Sequence, residues 1–232
     1  MAEPLPLFPL GHTVLFPGVV LPLHVFEERY RELVRTLVEL PEGARRRFGV
    51  VAIRQGWEVG EDAVSALHDV GCAAELRRVS RYPDGRYDIV TVGTDRFRLR
   101  SVDRKSRPYL VGSIDWLPAE PPPADLAGLA AAVGALFGDY VDAAAGLQGR
   151  LTEQAERAER AELPADPVEL GYAVASGAVL TLEDRQALLA AKTTRARLQA
   201  ELRLLKRETT MVRRLRALPV PIAELQVTQS LS

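Results

Sequence analysis

The chain has 232 residues, 47% hydrophobic and 26% charged, enough for one large domain or two modest ones whose core needs no metal or disulfide staple. Thirty Lys+Arg against 31 Asp+Glu leave a formal charge of −1, which excludes a globally basic nucleic-acid binder. One cysteine excludes an intrachain disulfide, the start Met1-Ala2-Glu3-Pro4 has no basic signal-peptide segment, and no run approaches about 18 consecutive apolar residues. A soluble, cytoplasmic protein with no membrane partner is expected.

In chain order, Pro9, Pro17 and Pro22 fix φ and withhold donors, which suits strand ends and barrel corners. Leu7, Phe8, Phe16, Leu23 and Phe26 are the expected core of this opening stretch. A helix follows from about Glu27 to Glu39, because Tyr30, Leu33, Val34, Leu37 and Val38 form a stripe at spacings of three and four. Phe48–Ile53 and Cys72–Val79 read as strands. Asp84-Gly85 supplies the positive φ of a tight hairpin before the β-branched run Tyr87–Val92. Arg96–Arg100 alternates polar and apolar residues, and Tyr109–Trp116 is a further strand. Short strands with turn signals and a single helix suggest a small barrel.

The prolines of Pro118–Pro123 act as a stiff connector. Beyond it, Leu126–Leu147 reads as a helix and Glu153, Glu156, Glu159 and Glu162 as a solvated row. Asp166, Pro167 and Glu169 open a second helix as N-cap, N1 and N3. Thr181-Leu182-Glu183-Asp184 opens a third, and no Gly or Pro follows until Pro219, so one helix of about 36 residues is expected. Its seam is Leu188, Ala191, Arg195, Leu198, Leu202, Leu205, Thr209 and Val212. The expected organisation is a β-barrel over 1–117, a Pro-rich linker over 118–124, a helical bundle over 125–219 and a loose tail over 220–232.

Signals of chemistry are thin. No Gly-Lys dipeptide exists, so a Walker phosphate loop cannot form. His12, His24, His68 and Cys72 do not make a zinc set, and Cys72 in an apolar strand reads as a small buried hydrophobe. No metal, no cofactor and no catalytic residue are therefore expected. One charge feature stands out: between Arg185 and Leu218 there are ten Lys/Arg and only two acids, Glu201 and Glu208. Cations near a helix C-terminus complement its dipole and could pair with the acidic Glu153–Glu169 region, and an acidic partner or nucleic acid is the functional alternative.

Leu5-Pro6-Leu7-Phe8-Pro9-Leu10, Val14-Leu15-Phe16-Pro17-Gly18 and Leu21-Pro22-Leu23-His24-Val25-Phe26-Glu27-Glu28-Arg29-Tyr30 resemble the N-terminal substrate-binding domain of Lon proteases. The likeness continues through Phe48-Gly49-Val50-Val51, Asp69–Ala74, Pro83–Tyr87, Gly93–Phe97 and Pro108-Tyr109-Leu110, and more loosely to Arg207-Glu208. The resemblance implies an α+β fold: a PUA-like β-barrel followed by an all-helical bundle ending in one long helix. It implies a non-enzymatic protein, with the ATPase and Ser–Lys peptidase of full-length Lon missing, that binds unfolded polypeptide or a protein partner, in protein quality control. Within the resembling runs, Leu21, Pro22, His24, Tyr30 and Tyr109 are the expected polypeptide-binding residues, and Glu27, Arg29 and Arg96 the expected structural ion pairs. The alternative is an RNA- or nucleic-acid-binding PUA-like module that uses the Arg-rich last helix; few aromatics for stacking count against it. Like charges along that helix disfavour self-pairing, so a monomer is expected.

Overall fold

The first unit, Met1–Ala119, contains strands β1 (Glu3–Leu10), β2 (Val20–Val25), β3 (Arg47–Gly56), β4 (Val64–Leu67), β5 (Val70–Arg81), β6 (Tyr87–Asp103) and β7 (Val111–Trp116), with helix α1 (Glu28–Val38) after β2. These elements come from a computed structural model, which describes residues 3–56, 64–119, 125–145 and 163–215. Pairings run β1–β7–β6–β5–β3, and β3 pairs in parallel with β1, so the path returns to its start. β4 attaches to β3, and β2 runs antiparallel to the first part of β6. Inside the sheet, Leu5, Leu7, Val51, Ile53, Leu67, Phe97 and Ile114 form a buried cluster. Phe97 lies directly on backbone: a Cβ at Gly71 would sit 2.3 Å from its Cζ.

Several sequence expectations change here. Pro9 and Pro22 stand inside β1 and β2 rather than at strand ends, whereas Pro17 lies in the turn before β2 as expected. The first half of β1 pairs only with β7 and the second half only with β3, while β2 pairs only with β6, so each leaves a side on which a missing donor costs nothing. Tyr87–Val92 and Arg96–Arg100 belong to one 17-residue strand, not two. Gly93 between them is a crossing point. It donates to the Val19 carbonyl and accepts from Gly18 N, both at 2.9 Å, and a Cβ there would fall 2.1 Å from the Phe16 carbonyl oxygen. Leu23 is half-buried and Phe26 is exposed, whereas Leu7, Phe8 and Phe16 are in the core.

In the second unit, Glu120–Ser232, the described helices are α2 (Ala127–Ala145), α3 (Pro167–Gly177), α4 (Leu182–Ala190) and α5 (Thr194–Leu215). The Asp166 side chain accepts from Val168 N and Glu169 N, and the Thr181 side chain accepts from Asp184 N, so both helix starts form as their sequences dictate. α2 is long and apolar enough on average to cross a membrane by length and composition, although Asp139 and Asp142 interrupt its apolar run, as the sequence expectation has it. Its residues Ala130, Val133, Phe137, Tyr140 and Ala144 are nevertheless buried in a helical core, and the Tyr140 hydroxyl accepts from Val179 N at 3.2 Å.

The single 36-residue helix is broken into α4 and α5. Thr193 supplies a start signal inside the run: its Oγ1 accepts from Ala196 N at 3.1 Å, and its carbonyl accepts from Arg197 N at 3.0 Å. The seam also shifts. Leu198, Leu205, Thr209 and Val212 are buried, but Arg195 is exposed and Leu202 half-buried, while Arg197, Glu201 and Glu208 lie on the buried side. The Glu153–Glu162 row, the prolines at 121–123 and the tail over 220–232 lie outside the described residues.

Candidate functional site

β2 alternates cleanly. Leu21 and Leu23 are half-buried and Val25 is in the core, so their neighbours Val20, Pro22 and His24 point out. Phe26, just past the strand, continues the outward series, and both it and Val20 are 54% exposed. The period-2 geometry places the four outward side chains in a strip about 20 Å long. Pro22 contributes no N–H, which interrupts the donors of a strand paired only with β6 and blunts it against strand addition.

A second group of side chains comes from the β5–β6 hairpin. Gly85 N donates to the Tyr82 carbonyl at 2.9 Å, and Gly85 takes φ +85°, the left-handed residue of a short hairpin loop beginning at Pro83. Arg31 of α1 donates from Nε to the Gly85 carbonyl at 2.8 Å and fixes the hairpin tip to the helix. Tyr82, 39% exposed, meets the His24 ring edge-on at 6.1 Å, and His24 stacks on Phe26 at 6.3 Å. The Arg86 guanidinium lies 5.7 Å from the Tyr82 ring centre.

Asp88 holds this cluster. Its Oδ2 accepts from Tyr82 Oη at 2.5 Å, and its Oδ1 lies 2.6 Å from His24 Nδ1. These bonds, that from Tyr82 first, hold the Asp88 carboxyl below its usual range, and the Tyr82 hydroxyl is correspondingly pushed up by Asp88. Because a carboxylate only accepts, Nδ1 carries the proton, and Nε2 faces Arg86 NH1 at 3.4 Å. The result is an aromatic surface whose rings are oriented before any ligand arrives.

The other expected site residues separate from this group. Tyr30 and Tyr109 are in the core, not on a binding surface: Tyr30 stacks on Phe8 at 4.1 Å, and Tyr109 Oη donates to Thr36 Oγ1 at 3.4 Å. Their sequence position among the resembling runs reflects packing of α1 against the sheet. Glu27 Oε2 lies 2.8 Å from Arg29 NH2, and the Arg29 guanidinium sits over the Tyr30 ring at 4.6 Å. Arg96 is buried on β6 opposite Cys72. Burial pushes the Cys72 thiol strongly up, which makes it inert packing. Among the described residues no group of three or more His, Cys, Asp or Glu is placed to hold a metal ion.

A family model described as the ATP-dependent protease La (LON) substrate-binding domain matches residues 4–207. The chain belongs to this family. The Lon protease 2 of Syntrophobacter fumaroxidans is 29% identical over 202 residues, 86% of this chain and 24% of that protein. The Lon protease of Porphyromonas gingivalis is 34% identical over 118 residues, 51% of this chain and 13% of that protein. The chain thus spans less than a quarter of the length of the curated relatives it matches. Among solved structures, the Lon N-terminal domain protein from Xanthomonas campestris is similar with a TM-score of 0.59 at 23% identity, over 88% of this chain and 98% of that one. The N-terminal domain of the Mycobacterium avium complex Lon protease gives 0.57 at 17% identity, over 90% and 98%. At these identities the structures show the shared α+β fold, and membership of the LON substrate-binding family supports a substrate-binding role.

Val20, Phe26, Tyr82, Arg86 and Asp88 of this LON domain were not among the expected binding residues. Alternation was the signal for Val20 and Phe26: they share a strand phase with Pro22 and His24. Tyr82 and Asp88 reach His24 only through the register His24 opposite Asp88, which no local pattern carries.

Proposed function

We propose that this LON domain captures unfolded polypeptide on the strip Val20, Pro22, His24 and Phe26, extended by Tyr82. One observation carries the reading: on a strand whose inward residue Val25 is fully buried, the outward neighbour Phe26 leaves a large apolar ring in water beside two oriented aromatic rings. Folded chains hide such apolar segments, whereas unfolded ones offer them, so apolar contact with rigid rings discriminates between the two. Pro22 directs recognition to side chains rather than strand pairing. The domain contributes binding without chemistry, as a cytoplasmic monomer in protein quality control that hands its ligand to a separate machinery.

The test uses a fluorescein-labelled globular protein in native form and the same protein reduced and carboxymethylated so that it cannot fold. Anisotropy titrations should show binding of the unfolded form alone, little altered between 50 and 200 mM salt. Equal binding of the native form, or binding of neither, would contradict the proposal.

A further inference from the structure

Before Gly93, β6 lies between β2 and the second half of β5, so this part of the sheet has two edges. The β2 edge is interrupted by Pro22, whereas β5 carries no proline from Val70 to Arg81. Pairing of β5 with β3 ends at Glu75, opposite Arg47, and the next backbone bond on that side runs from Leu76 N to the Arg46 carbonyl at 2.8 Å. Among the described residues no backbone bond reaches the outer side of Arg77–Arg81. Tyr82 N donates across the hairpin to the Arg86 carbonyl at 2.9 Å. Antiparallel alternation then turns Tyr82 and Ser80 toward β6 and Val79 and Arg81 away from it, each with its N–H and C=O on the open side. Arg77, Arg78 and Arg81 line this edge, all three exposed. Arg77 pairs with Glu75 at 3.2 Å, and among the described residues no carboxylate pairs with Arg78 or Arg81.

We propose that the open edge Arg77–Arg81 of β5 takes an extended acidic segment of a partner protein as an added strand. Backbone bonds to Val79 and Arg81 supply the affinity, and the guanidinium groups choose the sequence. An open edge is a hazard unless charge guards it. Here the arginines repel a second copy of the same strand, because like charges directly opposite destabilise a pair. The same charges admit a strand that carries carboxylates, which arginine forks match bidentately, and Arg78 and Arg81 have no partner to give up. Arg78 lies opposite Val90, in line with Pro22, and shares their outward face, whereas Arg81 lies opposite buried Tyr87. The two arginines are thus on opposite faces of the strand, with half-buried Val79 between them. The fitting segment therefore carries acids three residues apart, with a β-branched residue between them to lie opposite Val79.

The test titrates the full chain into a fluorescein-labelled peptide of glutamate-threonine-valine repeats at low salt. Two control peptides replace glutamate by lysine, or valine by proline, which keeps the charge and removes the donor that faces the Val79 carbonyl. Because none of the three has an aromatic ring, they read the β5 edge and not the rings of the β2 strip. The first peptide should bind at least about tenfold more tightly than either control. On binding, the Val79 and Arg81 amides of the wild-type chain should exchange with deuterium at least about tenfold more slowly, as followed by NMR. Arg78→Glu/Arg81→Glu should weaken binding at least about tenfold. Should that variant fold poorly, the amide protection in the wild-type chain decides alone. No binding at low salt, protection confined to residues outside β5, or unchanged affinity in a folded variant would overturn the proposal. So would equal binding of the lysine peptide, or of the proline peptide, which would reduce the contact to charge attraction without strand pairing.

Discussion

His24 and Asp88 face each other across the β2–β6 pair, with Nδ1 2.6 Å from Oδ1 although 64 residues separate them. The contact joins the edge strand to the hairpin that presents Tyr82, because the same carboxylate accepts from the Tyr82 hydroxyl. One acid therefore orients two exposed rings, and its own side chain gains little burial in doing so.

Asp88→Ala should accordingly weaken capture of unfolded polypeptide several-fold with little change in melting temperature. Both rings remain, but neither is held, and ordering them on binding costs rotamer entropy. A titration and a thermal melt on the same sample check this. Unchanged affinity would mean that ring orientation is irrelevant.

Gly85→Ala should destabilise the first unit by about 1–3 kcal/mol. The residue holds φ +85°, and a Cβ would fall 2.0 Å from Arg31 NH2. Arg31→Ala removes that collision together with the bond to the Gly85 carbonyl. The double variant should therefore cost less than the sum of the single ones in urea denaturation.

Glu201 makes the helical unit sensitive to pH. Burial pushes its carboxyl up to about 8, offset only in part by Arg197 on the preceding turn, against about 4.5 when exposed. Between those values the folded unit keeps a proton that the unfolded chain has lost, so stability is fully present below about pH 4.5 and falls as pH rises to about 8. Calorimetry at pH 5 and pH 8 should show this slope, and Glu201→Gln, which cannot ionise, should flatten it and melt higher at pH 8. An identical slope in the variant would assign the dependence elsewhere.

Glu27→Ala should cost about 1–2 kcal/mol, between the values of exposed and buried pairs. Glu27 and Arg29 are 20% and 17% exposed in their side chains, and Arg29 also covers Tyr30. A drop of a few degrees in melting temperature is expected. No drop would leave Glu27 free for a binding role.

Features with local causes were legible before the structure. The α1 stripe, the Asp166 and Thr181 caps and the Asp84-Gly85 turn each sit within a few residues of their signal. Strand phase was not. Leu23 and Phe26 are three apart, so on an extended chain they cannot share a face, and proline in the middle of the run concealed that the chain was extended. In α5, a 3.5-residue seam placed Arg195 inward; the real helix, with its own start at Thr193, turns Arg197 and Glu201 inward instead. The site itself depends on a pairing register between distant segments, which composition and periodicity do not encode.

The most direct measurement compares the intact domain with Phe26→Ser in binding the carboxymethylated probe. Phe26 is 54% exposed, so its replacement should leave the melting temperature within about a degree. Affinity for the probe should fall about tenfold or more, as expected when an aromatic anchor is removed from an apolar interface. Undiminished binding by a variant that melts like the wild type would show that polypeptide is captured elsewhere and that the β2 strip is not the site.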